Sequence, residues 1–582
     1  MTPRHHCSWR AKHLAGLLFL LLAFNRVVAA PIDELLPLVP PDTGICLVIQ
    51  NLREQSEKLS TSPFAAVLKK SPVAEVFFPS QQRAKLAEFD LLLRANLDTS
   101  LAEFRDDILG DAIVFAFRPA PVNHPDQEQG LLLIRPRNLD RLKKCLDKLN
   151  ELQKASGELR EVRTRSYRDS TYHIREKSDA VEYYLIREGL FAFTGQEQAM
   201  RSLIDQVHLS CRPDAPLSPI HEARQRLDLE SAFVVCWFQP RVFDQFLKPE
   251  ASEDARERAF LQQFRRLWQS CDSLAIYAEV RQNLEIGWVA SFQAEPMPAE
   301  LKPLILESPR FSRLSAVIPG DCLASLVGTI DLQGWYQALV SFLPSTDRDS
   351  LKQFLEGNLA PVIGRQWLPS LVQGIGPGWA VWVSPPPRAS DSSLPVAVVA
   401  VEISSPDPKI SVAIGQALEA AFHVLRICYN RTHHDQIDLH DHGAGIARIR
   451  FFRNDAVFPP GFQPAFAIKG NVVLMASHPD AIGKFQPPPT GTDETGSLPP
   501  PVTTLTLQVS AKPLMTVLEQ QQELFAKVIA GWTSSEEAAV RRKLAEFREL
   551  LKLLKQLHWT TESDRRRIRW RLQIEFSQPL QP

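Results

Sequence analysis

The chain carries the same succession of segments twice, and this repetition constrains its fold more than any single motif. Near the start, Val39-Pro40-Pro41-Asp42 leads into Cys46-Leu47-Val48-Ile49-Gln50-Asn51-Leu52. Near the middle, Ile318-Pro319-Gly320-Asp321 leads into Ser325-Leu326-Val327-Gly328-Thr329-Ile330-Asp331-Leu332. Each reads as a turn feeding a strand and then a helix, because Pro, Asp and Gly break the chain just before an apolar run. The run from Gly110 to Phe117 is matched by Gly376 to Val383, and Leu131–Ile134 by Val396–Val401. Amphipathic helices follow, from Leu139 in one half and Ile410 to Phe422 in the other. The apolar runs flanking Gly189 and Gly470 read as hairpins turned at glycine, each leading into a short helix, Gln198–Val207 and Pro479–Phe485. Strand Ala232–Phe238 parallels Thr503–Val509, charged helical regions follow at Ala255–Gln269 and Glu536–Leu557, and the closing strands are Leu284–Phe292 and Arg567–Phe576. One such match is cheap by chance; this many in a single order predict a tandem repeat.

A chain of 582 residues is long enough for about four ordinary domains. The repeat divides it instead into two halves, 31–295 and 316–578, joined by a Pro-rich linker, 296–315. Apolar residues at 44% and charged residues at 23% exclude a disordered or collagen-like chain. Strand runs, glycine-turned hairpins and helices outside simple alternation predict an α+β fold, each half a mainly antiparallel sheet with helices packed on one face. Pro385–Pro387 and Pro487–Pro501 read as solvated insertions.

Residues 1–30 read as an export signal. Arg4, Arg10 and Lys12 precede the apolar run Leu14–Phe24, and Val27-Val28-Ala29-Ala30 supplies small residues. Eleven residues reach roughly 16 Å as a helix, and a bilayer core needs about 30 Å. Cleavage after Ala29 avoids Pro31, and an uncleaved N-terminal anchor is the alternative. The mature chain keeps 62 basic against 67 acidic residues, a net charge of −5. That balance gives no global pull toward nucleic acid or anionic membranes. The location is therefore periplasmic or extracellular, with membrane contact only through the signal if it stays attached. The eight cysteines form no C-x-x-C pair. They read as buried small hydrophobes, with a Cys211–Cys271 bridge as the alternative in an oxidising compartment.

The export signal, the Pro-Pro-Asp42-Thr43 turn opening the mature chain and the paired halves resemble a family of uncharacterised exported bacterial proteins, a domain of unknown function. The resemblance spans most of residues 31–578. It implies a fold type and an envelope location, and it brings no catalytic residues with it.

Three segments carry candidate chemistry. In His433-His434-Asp435-Gln436-Ile437-Asp438-Leu439-His440-Asp441-His442, strand alternation places His434, Gln436, Asp438, His440 and His442 on one face. Asp438, His440 and His442 would then ligate zinc or a similar divalent ion, or stand on the solvated side of a hairpin strand. The matching stretch of the first half, Val162–Arg175, has a single His173, so the repeat does not require the cluster. Arg565–Arg571 with Trp570 suggests a nucleic-acid or anionic-glycan site. Its alternation, with Ile568, Trp570, Leu572, Ile574 and Phe576 on one side and Arg567, Arg569 and Arg571 on the other, predicts an arginine-guarded edge strand instead. From Ser534, residues Val540, Leu544, Phe547, Leu551 and Leu554 form one helical face, which predicts docking on the chain's own sheet or a coiled-coil seam.

The sequence holds no G-x-S-x-G, H-E-x-x-H, G-x-x-x-x-G-K-[ST] or G-x-G-x-x-G motif. The expectation is an exported, non-enzymatic binding or scaffolding protein whose partner is a protein or glycan of the envelope. The alternatives are a metal-dependent hydrolase centred on Asp438, His440 and His442, and a carrier of apolar ligands held between sheet and helices.

Overall fold

The computed structural model describes residues 30–71, 74–77, 79–124, 127–210, 218–247, 254–305, 312–329, 332–363, 374–386, 394–405, 407–443, 448–488, 502–564 and 566–580. Residues 1–29 of the expected export segment lie outside these, as do Cys7, Cys211, Pro387, Arg565, residues 306–311 of the linker and residues 489–501.

Twenty antiparallel strands among the described residues form one sheet. The first ten are β1 (Ile45–Gln50), β2 (Ala112–Arg118), β3 (Gln129–Arg135), β4 (Leu159–Tyr167), β5 (Ser170–Lys177), β6 (Val181–Arg187), β7 (Leu190–Thr194), β8 (Val234–Phe238), β9 (Cys271–Val280) and β10 (Leu284–Phe292). The second ten are β11 (Ala324–Thr329), β12 (Ile375–Ser384), β13 (Val396–Ile403), β14 (Asp438–His442), β15 (Ile449–Arg453), β16 (Ala465–Lys469), β17 (Val472–Ala476), β18 (Val502–Ser510), β19 (Leu554–Asp564) and β20 (Arg567–Phe576). The first set pairs in the order β4-β5-β6-β7-β3-β2-β1-β8-β9-β10. The second pairs in the order β14-β15-β16-β17-β13-β12-β11-β18-β19-β20. The two last strands, β10 and β20, join the sets, with Trp288 directly opposite Trp570. Counted inward from β4 and from β14, each strand of one set thus has a counterpart at the same position in the other.

Alternation along each strand decides which side is packed. In β1, Cys46 and Val48 are buried while Ile45, Leu47 and Ile49 are half-buried. The buried side meets the Pro31–Leu35, Glu197–Ser210 and Pro219–Arg226 helices through Ile32, Leu35, Met200, Leu203, Ile204 and Ile220. A matching core in the second set gathers Val327, Ala380, Trp382, Val398, Ala400 and Leu474 around Ile482 of the Pro479–Lys484 helix. Helices therefore cover one face over these strands. Over the outer strands they cover the other face too. Leu142 and Cys145 of the Leu139–Ala155 helix sit on Ile134, Tyr184 and Phe191. Ile410, Ile414 and Leu418 of the Pro408–Thr432 helix sit on Ile403, Ile468 and Val473. The latter helix has the length and mean hydropathy, 1.3, to cross a membrane; its Ala413, Ile414 and Ala417 are buried, Ile414 against the sheet.

Two sequence expectations are corrected here. The final charged helix stops at Leu553, and Leu554 opens β19. Its Leu544 and Leu551 pack with Leu514, Leu518 and Phe525 of neighbouring helices and with Leu554 at the start of β19. Leu550 and Leu553 also meet Phe64 and Leu68 of the first set. Second, β20 is not an edge strand: it lies at the centre of the sheet between β10 and β19. Among the described cysteines none is bridged; Cys46, Cys145 and Cys322 are buried, and Cys428 is exposed.

Candidate binding surface

Residues facing each other across antiparallel strands point to the same side of a sheet, so the register identifies the faces. One unbroken row runs Ile134, Ile113, Ile49, Val234, Ala278, Ile286, Leu572, Trp559, Leu507, Leu326, Val381, Val399, Met475. All thirteen side chains are apolar apart from one indole N–H, and the row spans about 58 Å at about 4.8 Å a strand. The neighbouring row on the same face reads Phe115, Leu47, Cys236, Ile276, Trp288, Trp570, Thr561, Leu505, Gly328, Trp379, Val401. Neither row holds a charged side chain.

The opposite face behaves differently. Its row runs Leu133, Val114, Val48, Val235, Tyr277, Gly287, Arg571, Thr560, Thr506, Val327, Ala380, Ala400, Leu474. It is apolar over the two cores and polar between them, as expected where water reaches the sheet. Here Arg571 pairs with Glu562, and Arg569 reaches the carbonyl of Leu227 and, at 3.4 Å, Asp228. Tyr277 donates to Glu285 at 2.8 Å, and Gln573 donates to the same carboxylate at 2.9 Å. Burial first, then Glu285, pushes the Tyr277 phenol well above its ordinary pKa. The arginine-rich strand is thus committed to internal partners.

The all-apolar face is only partly covered. Its outer strands lie partly under the Leu139–Ala155 and Pro408–Thr432 helices, and four side chains between and beside them are exposed. Ile276 is 55% exposed, Phe115 40%, and Ile286 and Met475 38% each. An antiparallel sheet with one wet face ordinarily turns polar residues outward; this one turns out Ile276, Ile286, Phe115 and Met475. These four stand among half-buried neighbours along the two rows, and an uncharged apolar face of this extent is a candidate binding surface. Trp559 and Trp570 meet edge-to-face with ring centroids 5.3 Å apart. The Trp379 ring lies over Gly328, where a Cβ would come within 2.9 Å of the indole. The indole nitrogens of Trp379 and Trp559 are buried and have no hydrogen-bond partner among the described residues. Burial also raises the Cys236 thiol on this face.

The histidine-rich segment lies far from this floor. Asp438, His440 and His442 alternate along β14, the outermost strand of its set, and all three are exposed. His440 stacks on Phe451 at 5.7 Å, and His433 stacks on Tyr429 at 4.1 Å. Asp441 pairs with Arg448. Among the described residues no three His, Cys, Asp or Glu side chains gather closely enough to hold an ion. Just before the strand, the Asn430 side chain accepts from the Ile437 amide at 2.8 Å and donates to its carbonyl at 3.0 Å. Sequence reasoning placed Ile568, Trp570 and Leu572 on one side of their strand but missed the open floor. In β1, β2, β3, β12 and β13 both the odd and the even positions are largely apolar, but which side stays open follows from the pairing between strands.

No family model and no curated protein matches the chain. Among solved structures, crystal form I of TP0453 aligns at 9% identity with a TM-score of 0.23, over 46% of this chain and 82% of that one. Crystal form III aligns at 9% and 0.23, over 47% and 86%. Crystal form IV aligns at 12% and 0.23, over 46% and 84%. Similarity at this level carries no inference about fold or function.

Proposed function

We propose that the chain is an exported, non-enzymatic binding protein. Its two halves, 31–295 and 316–578, are copies of one ancestral α+β unit that meet through their last strands and present a single apolar floor. The observation that supports this is the thirteen-residue apolar row that crosses from β3 through the β10–β20 seam to β17. Of the sequence readings, a carrier of apolar ligands suits this face best, since neither of its two rows offers a charged group to a glycan. The common strand order supports the tandem origin, and the apolar run at Leu14–Phe24 behind three basic residues supports export.

Titration of the folded chain with Nile red, an uncharged apolar dye, tests the reading. The native protein takes up the dye with a saturating rise in fluorescence. The Leu572→Glu variant, with a carboxylate at the centre of the floor, binds at least about tenfold more weakly, equivalent to about 1.4 kcal/mol. Uptake absent from the native protein, or unchanged in a folded Leu572→Glu variant, contradicts it.

A further inference from the structure

We infer that copies of this chain join end to end, with β14 of one copy added as the next strand beside β4 of another. Among the described residues β4 pairs only with β5, and β14 only with β15. Twenty strands that alternate in direction leave the first and the last antiparallel, so β14 of one copy meets β4 of the next in the sense the whole sheet already uses. Both outer sides offer backbone amides. In β5 the Lys177 amide donates to Ala180 at 2.9 Å, toward β6. By alternation Arg175 and His173 point the same way, so Val162 and Thr164, which face them, turn their amides away from β5. In β15 the Phe452 amide donates to Pro464 at 2.9 Å, toward β16. Leu439, which faces Phe452, and Asp441, two residues on, therefore turn theirs away from β15. Among the described residues no backbone hydrogen bond from outside either hairpin reaches these two strands. The faces agree as well. Val162 packs with Leu142 and Tyr184, and Leu439 lies beside Phe452, which stacks on Phe422 of the Pro408–Thr432 helix. Both side chains stand on the floor side, so joined copies keep their floors on one side of a longer sheet.

Charge selects the pairing. Strand β4 carries Arg160, Arg163 and Arg165 against one acid, Glu161, while β14 carries Asp438 and Asp441 and no Lys or Arg. The three arginines and both aspartates are exposed. Charged side chains on an edge strand ordinarily keep other chains off it. Here the two edges have opposite signs, so like edges repel and unlike edges attract. One register matches both sets of outward amides and stays clear of the irregularity at Arg160: Val162 opposite Asp441 and Thr164 opposite Leu439. It lays Glu161–Arg165 along all five residues of β14, with Arg165 facing Asp438, Arg163 facing His440 and Glu161 facing His442. Arg165 already bonds Glu197 at 2.6 Å, and a guanidinium has donors to spare for a second carboxylate. A contact between two different edges does not close on itself at two copies; it continues into a ring or an open chain.

Analytical ultracentrifugation of the full chain tests this. The weight-average mass should climb with concentration past that of a dimer, and fall back as salt is raised, because exposed charge pairs are screened. Proline removes an amide and is tolerated on an edge strand where that amide faces outward, so Thr164→Pro closes the β4 edge and Asp441→Pro closes the β14 edge. Each variant alone should stay a single chain. Mixed, each supplies the edge the other lacks, and they should form a dimer that grows no further. Asp438→Lys, which leaves the backbone alone, should weaken association about fivefold. A native chain that stays single at every concentration overturns the inference, as does association that stops at two copies. Proline variants that keep the native circular dichroism yet give no dimer when mixed overturn it too. If either fails to fold, association unchanged by Asp438→Lys and by salt does the same. Association lost in Leu572→Glu but kept in both proline variants assigns the contact to the floor and overturns the edge pairing.

Discussion

The Gly287→Val variant is expected to lose about 3 kcal/mol of folding stability, the upper range for forcing volume into a packed site. Gly287 lies in β10 between Tyr277 and Arg571. A Cβ there would stand 2.5 Å from the Trp570 carbonyl oxygen and 2.7 Å from the Tyr277 ring. Neither neighbour can yield cheaply. The carbonyl is backbone of the strand that joins the two sets, and Tyr277 is 4% exposed with its hydroxyl bonded to Glu285. The strain falls on the eight facing pairs of the β10–β20 seam, so unfolding should separate into two transitions. The urea midpoint reads the effect. The Gly483→Ala variant, where nothing lies within 4 Å of the added Cβ, is the control and should move the midpoint little. A Gly287→Val midpoint indistinguishable from the parent's would show that the seam is not packed as described.

Arg224→Ala is expected to cost a similar amount, about 3 kcal/mol, by stranding buried acceptors. Arg224 is 5% exposed. It donates to Gln50 Oε1 at 2.9 Å and to the carbonyls of Leu229 at 3.3 Å and Glu230 at 2.5 Å. Asp33 lies 3.6 Å away. Burial lowers the guanidinium pKa, with Asp33 opposing. Gln50 in turn donates to the carbonyls of Ala232 at 2.7 Å and Glu230 at 2.9 Å. These two side chains fasten the end of β1, the Pro31–Leu35 helix and the loop before β8 to one another. Because they share acceptors, the Gln50→Ala and Arg224→Ala losses should not add. A double variant whose loss equals the sum of the single losses would break this coupling, and denaturant titration of the four proteins decides it.

Much of the secondary structure was legible because it is punctuated. Gly189, at φ +80° after Glu188 at φ +48°, turns the β6–β7 hairpin, and a glycine between two apolar runs signals such a turn. Asp407 caps the Pro408–Thr432 helix through the Lys409 amide at 2.9 Å. Strands β9 and β19 were not legible for the converse reason. Each follows a helix directly, at Cys271 and Leu554, with no Gly or Pro between. The spacing of Leu551 and Leu554 continues the helical pattern, and only pairing with β18 and β20 makes Leu554–Asp564 a strand. The position of β20 was hidden in the same way. Alternating Arg and apolar residues suit an edge strand as well as a central one whose polar side fills the gap between two cores. The open floor depends on register across strands far apart in sequence, which local patterning does not carry. Asp438, His440 and His442 were correctly placed on one strand face, but no sequence signal showed that this strand would be the last in its row.

The open face is tested most directly by photolabelling the folded, lipid-free protein with a small aliphatic diazirine and mapping the adducts by peptide mass spectrometry. The labelling expected is concentrated on Ile276, Ile286, Trp288, Trp570 and Leu572, with Cys46, Val48, Val114 and Val235 of the buried side unmarked. Adducts confined to the helices, with the β8–β10 and β18–β20 peptides unlabelled, would contradict an exposed apolar floor.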